Sequence, residues 1–188
     1  FKKITRWGDL SKVLDGVKAA QDAGIRIKIN TVALKGINDH EIPSIIRWAH
    51  SNAMDITLIE TMPMGDIDGD RTENYIPLMN YMRVLEKEFT LTGSDYHTGG
   101  PSRYYTVNET GGRIGLITPL SHNFCADCNR VRVTCTGKMY MCLGQDDAVD
   151  FNKLMRDKAS DDSIIQLIHR SISLKPKSHD FKIDKYNN

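Results

Sequence analysis

Ile25-Arg-Ile-Lys-Ile-Asn-Thr-Val-Ala-Leu34 and Asp55-Ile-Thr-Leu-Ile-Glu-Thr61 are the stretches whose reading decides the fold. Both are rich in β-branched residues at alternating positions, so both read as strands. Between them, Asn38 or Asp39 can cap a helix that runs through Ile45, Ile46 and Trp48 to about Ser51. Strand, helix, strand is a βαβ unit, and its crossover makes the two strands parallel. Upstream, Leu10, Val13, Leu14, Val17 and Ala20 recur at helical spacing from Asp9 to Ala23, and Gly24 stops the run. Downstream, a Gly/Asp-rich loop from Met64 to Asn74 precedes a further helix, about Pro77 to Phe89. The class is therefore α/β, as half a βα barrel or an open sheet.

The character changes near Thr90. Gly99-Gly-Pro101 breaks the chain, and Arg103 to Asn108, Glu109 to Gly112 and Arg113 to Thr118 read as strand, turn, strand. A second hairpin spans Arg130 to Cys135, a turn at Thr136-Gly137, and Lys138 to Leu143. Two helices follow, about Phe151 to Lys158 and Asp161 to Ser173, and the polar tail from Lys175 is expected to fray. This organisation puts a boundary between residues 90 and 91, with a β-rich module on its far side.

Composition excludes several classes. With 188 residues, 40% of them hydrophobic, the chain can bury one substantial core and a small appendage. A net charge of +1 sets up no global field toward nucleic acid or a membrane surface, so any anion recognition is local. No apolar run approaches the roughly 18 residues of a membrane span, and no signal peptide opens the sequence. Four cysteines fit metal binding in a reducing compartment better than a secreted disulfide framework.

The chemistry concentrates in Cys125-Ala-Asp-Cys128-Asn-Arg130-Val-Arg132 and in Cys142, with thirteen residues between Cys128 and Cys142. Two thiolates three apart can grip one centre from a single turn, and a hairpin can return the third. Thiolates select zinc or an iron–sulfur cluster. His122 could complete a closed zinc site, and three thiolates without it leave a coordination position open. Cys135, in the outgoing strand, reads as an inert thiol. Alternation along that strand would send Arg130 and Arg132 to one face, where guanidinium forks suit phosphate oxygens. Without a metal beside them, the same arginines would be an ordinary solvated strand face. Lys28 can reach an anion at the strand ends where α/β proteins bind ligands, or simply cover a strand face. Met62 and Glu60 close the second strand, and packing is the ordinary reading of Met62. The histidines form no H-E-x-x-H pattern, and neither G-x-G-x-x-G nor a Walker sequence is present.

Read together, Ile27-Lys28-Ile-Asn30-Thr-Val, Leu58-Ile-Glu60-Thr-Met62-Pro-Met-Gly65, Gly99-Gly-Pro-Ser-Arg-Tyr104, Gly115-Leu-Ile-Thr-Pro119, Asn123-Phe-Cys125-Ala-Asp-Cys128-Asn-Arg130-Val-Arg132 and Met141-Cys142-Leu-Gly resemble the radical S-adenosylmethionine GTP 3′,8-cyclases of molybdenum cofactor biosynthesis. The resemblance runs along nearly the whole chain. It implies an incomplete βα TIM-type barrel over residues 1–90, then a C-terminal extension over 91–188 with an iron–sulfur site. It implies a lyase that converts GTP to 3′,8-cyclo-7,8-dihydro-GTP through a radical made from S-adenosylmethionine. The product would pass to a cyclic pyranopterin monophosphate synthase, in the cytoplasm. Residue by residue, it implies Cys125, Cys128 and Cys142 as ligands of a 4Fe-4S cluster whose open iron faces the guanine. It also implies Lys28, Arg130, Val131 and Arg132 as GTP contacts, and Met62 as lining the S-adenosylmethionine site.

The chain departs from the family's pattern in several places. The C-x-x-x-C-x-x-C motif that holds a further 4Fe-4S cluster is missing from this sequence. Phe1-Lys-Lys opens it without methionine, and no Gly-Gly ends it. A portion of a longer or split protein is expected, unable to generate the radical by itself. Thr57 stands where the family often has arginine. Open sheet edges make homodimerisation an expectation. The rival from another class is a zinc-bound structural or nucleic-acid module, which the near-neutral charge and few aromatics disfavour.

Overall fold

The computed structural model describes residues 1–62 and 72–181. By compactness the chain divides into two units, Phe1–Thr61 with Glu73–Thr118, and Met62–Thr72 with Pro119–Asn188.

The first unit contains α1 (Lys2–Thr5), α2 (Leu10–Asp22), β1 (Lys28–Val32), α3 (Ile42–Ser51), β2 (Asp55–Ile59), α4 (Leu78–Leu85), β3 (Leu91–Ser94), β4 (Arg103–Val107) and β5 (Arg113–Ile117). Its strands form one sheet in the order β1-β2-β5-β4-β3. β1, β2 and β5 are parallel, and β5, β4 and β3 are antiparallel neighbours. The βαβ unit is thus as the alternation predicts, within a mixed sheet. The boundary expected at 90/91 does not fall there. The 103–118 hairpin hydrogen-bonds along β2 and completes the same sheet, so the division comes after Thr118.

Period-two alternation gives this sheet two unlike faces. Ile29, Ile56, Leu58, Ile114, Leu116 and Val107 form the core with Ile42, Ile46 and Ala49 of α3 and Leu78, Tyr81 and Leu85 of α4. The register sets Lys28, Asp55, Thr57, Gly115 and Tyr104 on the opposite, polar face. Two local expectations are corrected. Asn38 does not cap α3. Its Oδ1 accepts from Leu34 N (2.8 Å) and its Nδ2 donates to the Val32 carbonyl (2.9 Å), so it closes the loop instead and α3 starts at Ile42. The stripe on α2, capped by Asp9, is a true helix face, yet Leu10, Val13 and Leu14 remain exposed while Val17 reaches the core.

The second unit holds β6 (Arg132–Val133), β7 (Lys138–Tyr140), β8 (Ala148–Asp150), α5 (Asn152–Arg156) and α6 (Asp161–Ser173). The strands pair antiparallel in the order β6-β7-β8, and β8 is a strand that alternation did not reveal. Met139, Met141 and Phe151 form a small core, covered by Val149 and by Ile164, Leu167 and Ile168 of α6. Ser160 caps α6 by accepting from Ser163 N. The tail does not fray at Lys175. His179 Nε2 donates to the Pro119 carbonyl (2.8 Å), and the ring of Phe181 lies against Gly144, where a Cβ would come within 2.7 Å of it. Among the described residues, no helix is long and apolar enough to cross a membrane.

Candidate metal and anion site

The second unit carries the thiols. Cys125–Asp127 form a single 3₁₀ turn, closed by Cys128 N donating to the Cys125 carbonyl at 3.2 Å. That turn is the local reason the Cys-x-x-Cys pair stays together. Cys142 lies two residues past β7, and its Sγ accepts from Gly144 N at 3.4 Å. Cys125, Cys128 and Cys142 are free, half-buried thiols. Cys135 is also free but exposed. It sits in the hairpin turn rather than in a strand, because Gly137 N donates to the Thr134 carbonyl and Gly137 adopts φ 79°. Among the described residues, no group of three or more His, Cys, Asp or Glu side chains has the spacing for one metal ion. A 4Fe-4S cluster takes each thiolate on a separate iron, and three unpaired thiols with an N–H···S donor are a suitable donor set for it.

Between the thiols, Arg130 and Arg132 expose both side chains, and among the described residues neither forms an ion pair. Val131 is 39% exposed. The strand begins only at Arg132, so strand alternation does not orient Arg130 as expected. Two free forks in three residues can receive an anion of several oxygens.

The first unit holds Lys28, on the polar face of β1. Its Nζ donates to Tyr104 Oη at 3.2 Å. Tyr104 lies opposite Gly115, and a Cβ there would approach Tyr104 Cε1 to 3.0 Å and Thr57 Oγ1 to 2.8 Å, so the glycine makes room for the ring. Tyr96 meets Tyr104 edge-on, centroids 4.9 Å apart. Arg113 lies 3.9 Å and Arg26 5.4 Å from the Tyr96 centroid, and both guanidiniums bond Asp55 Oδ2. Burial acts to raise the Tyr104 phenol, but hydrogen bonds with Thr98 and Lys28 and the Lys28 charge outweigh it, leaving it below its ordinary range. Thr57 is fully buried on this face, and its Oγ1 has no partner among the described residues. The sequence reading found Lys28 and Thr57 but missed the Tyr104–Tyr96–Arg113–Asp55 support. Its signal is alternation in 103–107, and it becomes legible only with the cross-strand register.

Glu60 is buried at the end of β2, where its Oε1 accepts from Tyr75 Oη (3.1 Å) and from Leu78 N at the start of α4 (3.2 Å). A carboxylate there satisfies a helix N-terminus, which is a structural role. Burial first, then the Glu60 charge and hydrogen bond, push the Tyr75 phenol above its ordinary range. Met62 is half-buried just beyond β2, and the Pro63–Gly65 continuation lies outside the described residues.

The family described as Molybdenum Cofactor Synthesis C matches residues 54–181. Proteins called GTP 3′,8-cyclase from Brucella ovis and Rhizobium etli are each 60% identical over all 188 residues. The chain covers 55% and 54% of those two proteins, so it spans about half the length of the curated relatives it matches.

Proposed function

The chain belongs to the Molybdenum Cofactor Synthesis C family, and from that premise we propose that it supplies the substrate side of a GTP 3′,8-cyclase. The observation that carries this reading is a single compact unit holding Cys125, Cys128 and Cys142 as free thiols, with Arg130 and Arg132 between them. In this reading the three thiolates hold a 4Fe-4S cluster. When bound, that cluster supplies an iron without a protein ligand, open to a nitrogen or oxygen of the guanine.

The chain's own residues then bind and orient. Arg130 and Arg132 take phosphate or base oxygens through their forks, and Val131 between them gives the base an apolar contact. Lys28 has three N–H donors, so it can keep its bond to Tyr104 and give the others to the triphosphate. Met62 lines the S-adenosylmethionine side, and β1, β2 and β5 are part of a βα barrel. A second 4Fe-4S cluster, S-adenosylmethionine cleavage and the radical belong to residues other than these. The product goes to a cyclic pyranopterin monophosphate synthase in the same cytoplasmic pathway.

Anaerobic reconstitution with iron and sulfide tests the reading. About four irons per chain, with a spin-resonance spectrum perturbed by GTP, supports it. Iron uptake should be lost in Cys125→Ser. Stoichiometric zinc without iron, and no response to GTP, would mean a structural metal clip and overturn it.

A further inference from the structure

We propose that Lys175 is a positioning residue for the cysteine site, tying the segment that leaves Cys128 to the segment that enters Cys142. Its Nζ donates to the Arg130 carbonyl at 2.9 Å and to the Met141 carbonyl at 2.6 Å. Arg130 lies two residues beyond Cys128, and the Met141 carbonyl belongs to the peptide that continues into Cys142. The β6–β7 ladder stops at Arg132↔Tyr140. Continued by the same register, it would set Val131 opposite Met141 and Arg130 opposite Cys142. The ammonium, bonded to one carbonyl on each side, does there what a ladder rung would do. It uses a charge-assisted bond at each end, the stronger kind.

The lysine stands on a fixed base. α6 packs through Ile164, Leu167 and Ile168 onto Met139, Met141 and Phe151. Past the helix end at Ser173, Leu174 N donates to Ser171 O and Lys175 N to Ile172 O, each at 3.0 Å. A long lysine stem is ordinarily disordered at a surface; here it is half-buried and bonded at two points far apart in sequence. The thiols on both sides of the hairpin mouth are thereby held before any cluster arrives. The part of the proposal that concerns a cluster rests on the function proposed above; the tie between the segments does not.

Lys175→Met and Lys175→Arg in the whole chain test this by two readouts. In the metal-free protein, amide hydrogen exchange over 129–133 and 141–144 should speed by about tenfold in Lys175→Met while α6 stays protected. In the reconstituted protein, iron should be lost to a chelator about three- to tenfold faster, with Lys175→Arg in between. Unchanged exchange at both segments, or loosening spread evenly over the unit, overturns the proposal. If Lys175→Met does not fold, Lys175→Gln, which keeps a donor on a shorter stem, decides by the same exchange pattern. A wild-type chain that takes up no iron removes the cluster reading, while the exchange readout still judges the lysine.

Discussion

A lysine on a strand can be a solvated surface group or an anion ligand, and its neighbours distinguish the two. Lys28 is held by the Tyr104 phenol, which Thr98 and Tyr96 brace from behind. Losing one such hydrogen bond should weaken triphosphate binding about three- to tenfold. Tyr104→Phe is therefore expected to weaken GTP binding but not guanosine binding. In a Lys28→Met background it should have no further effect, which a calorimetric double-mutant cycle checks. Equal losses in both backgrounds would refute the coupling. His50 gives a pH dependence. Its Nε2 donates to the Arg113 carbonyl (3.1 Å), and its Nδ1 pairs with Thr110 Oγ1 (2.6 Å). Burial lowers its pKa below 6.5, against a smaller opposing pull from Asp55. The unfolded chain then takes up a proton that the folded chain resists. The stabilisation is present above about pH 6.5 and is lost as pH falls through the lower folded value. Thermal melts from about pH 7.5 down to about pH 5 should show a flatter decline in His50→Gln than in wild type.

At the scale of elements, β5 decides more than its five residues suggest. It is parallel to β2 and antiparallel to β4, so it joins the βαβ part of the sheet to the hairpin. Gly115 at its centre leaves the space that the Tyr104 ring and the Thr57 and Ser102 hydroxyls occupy. Gly115→Ala would overpack this point and should cost about 1–3 kcal/mol. Urea unfolding should show a lower midpoint with an unchanged slope, and an unchanged midpoint would disprove the crowding. The sequence reading placed β5 as the second strand of the 103–118 hairpin and α6 at about Asp161 to Ser173, and both elements form there. It missed β8, three residues of mixed character whose strand state comes from pairing with β7. It also drew Cys135 into a strand, whereas the turn expected at Thr136-Gly137 begins one residue earlier and takes in Cys135.

At the scale of the whole molecule, the thiols and the arginines lie in one unit, and Lys28 with its support lies in the other. Cluster formation should therefore protect amides mainly over 119–150, where the thiols sit, with the β1–β5 sheet changed far less. Exchange compared with and without reconstituted iron checks this; equal gains in the sheet would overturn it. The sequence alone determined the βαβ unit, the Cys-x-x-Cys turn, the helix α6 and the family, because each rests on local periodicity, local spacing or residue identity. Tertiary structure decided that the 103–118 hairpin completes the first sheet, that Tyr104 stands under Lys28 and that Lys175 closes the cysteine hairpin. Those outcomes depend on cross-strand register and on contacts between residues 34 to 76 positions apart, which no local pattern along the chain encodes.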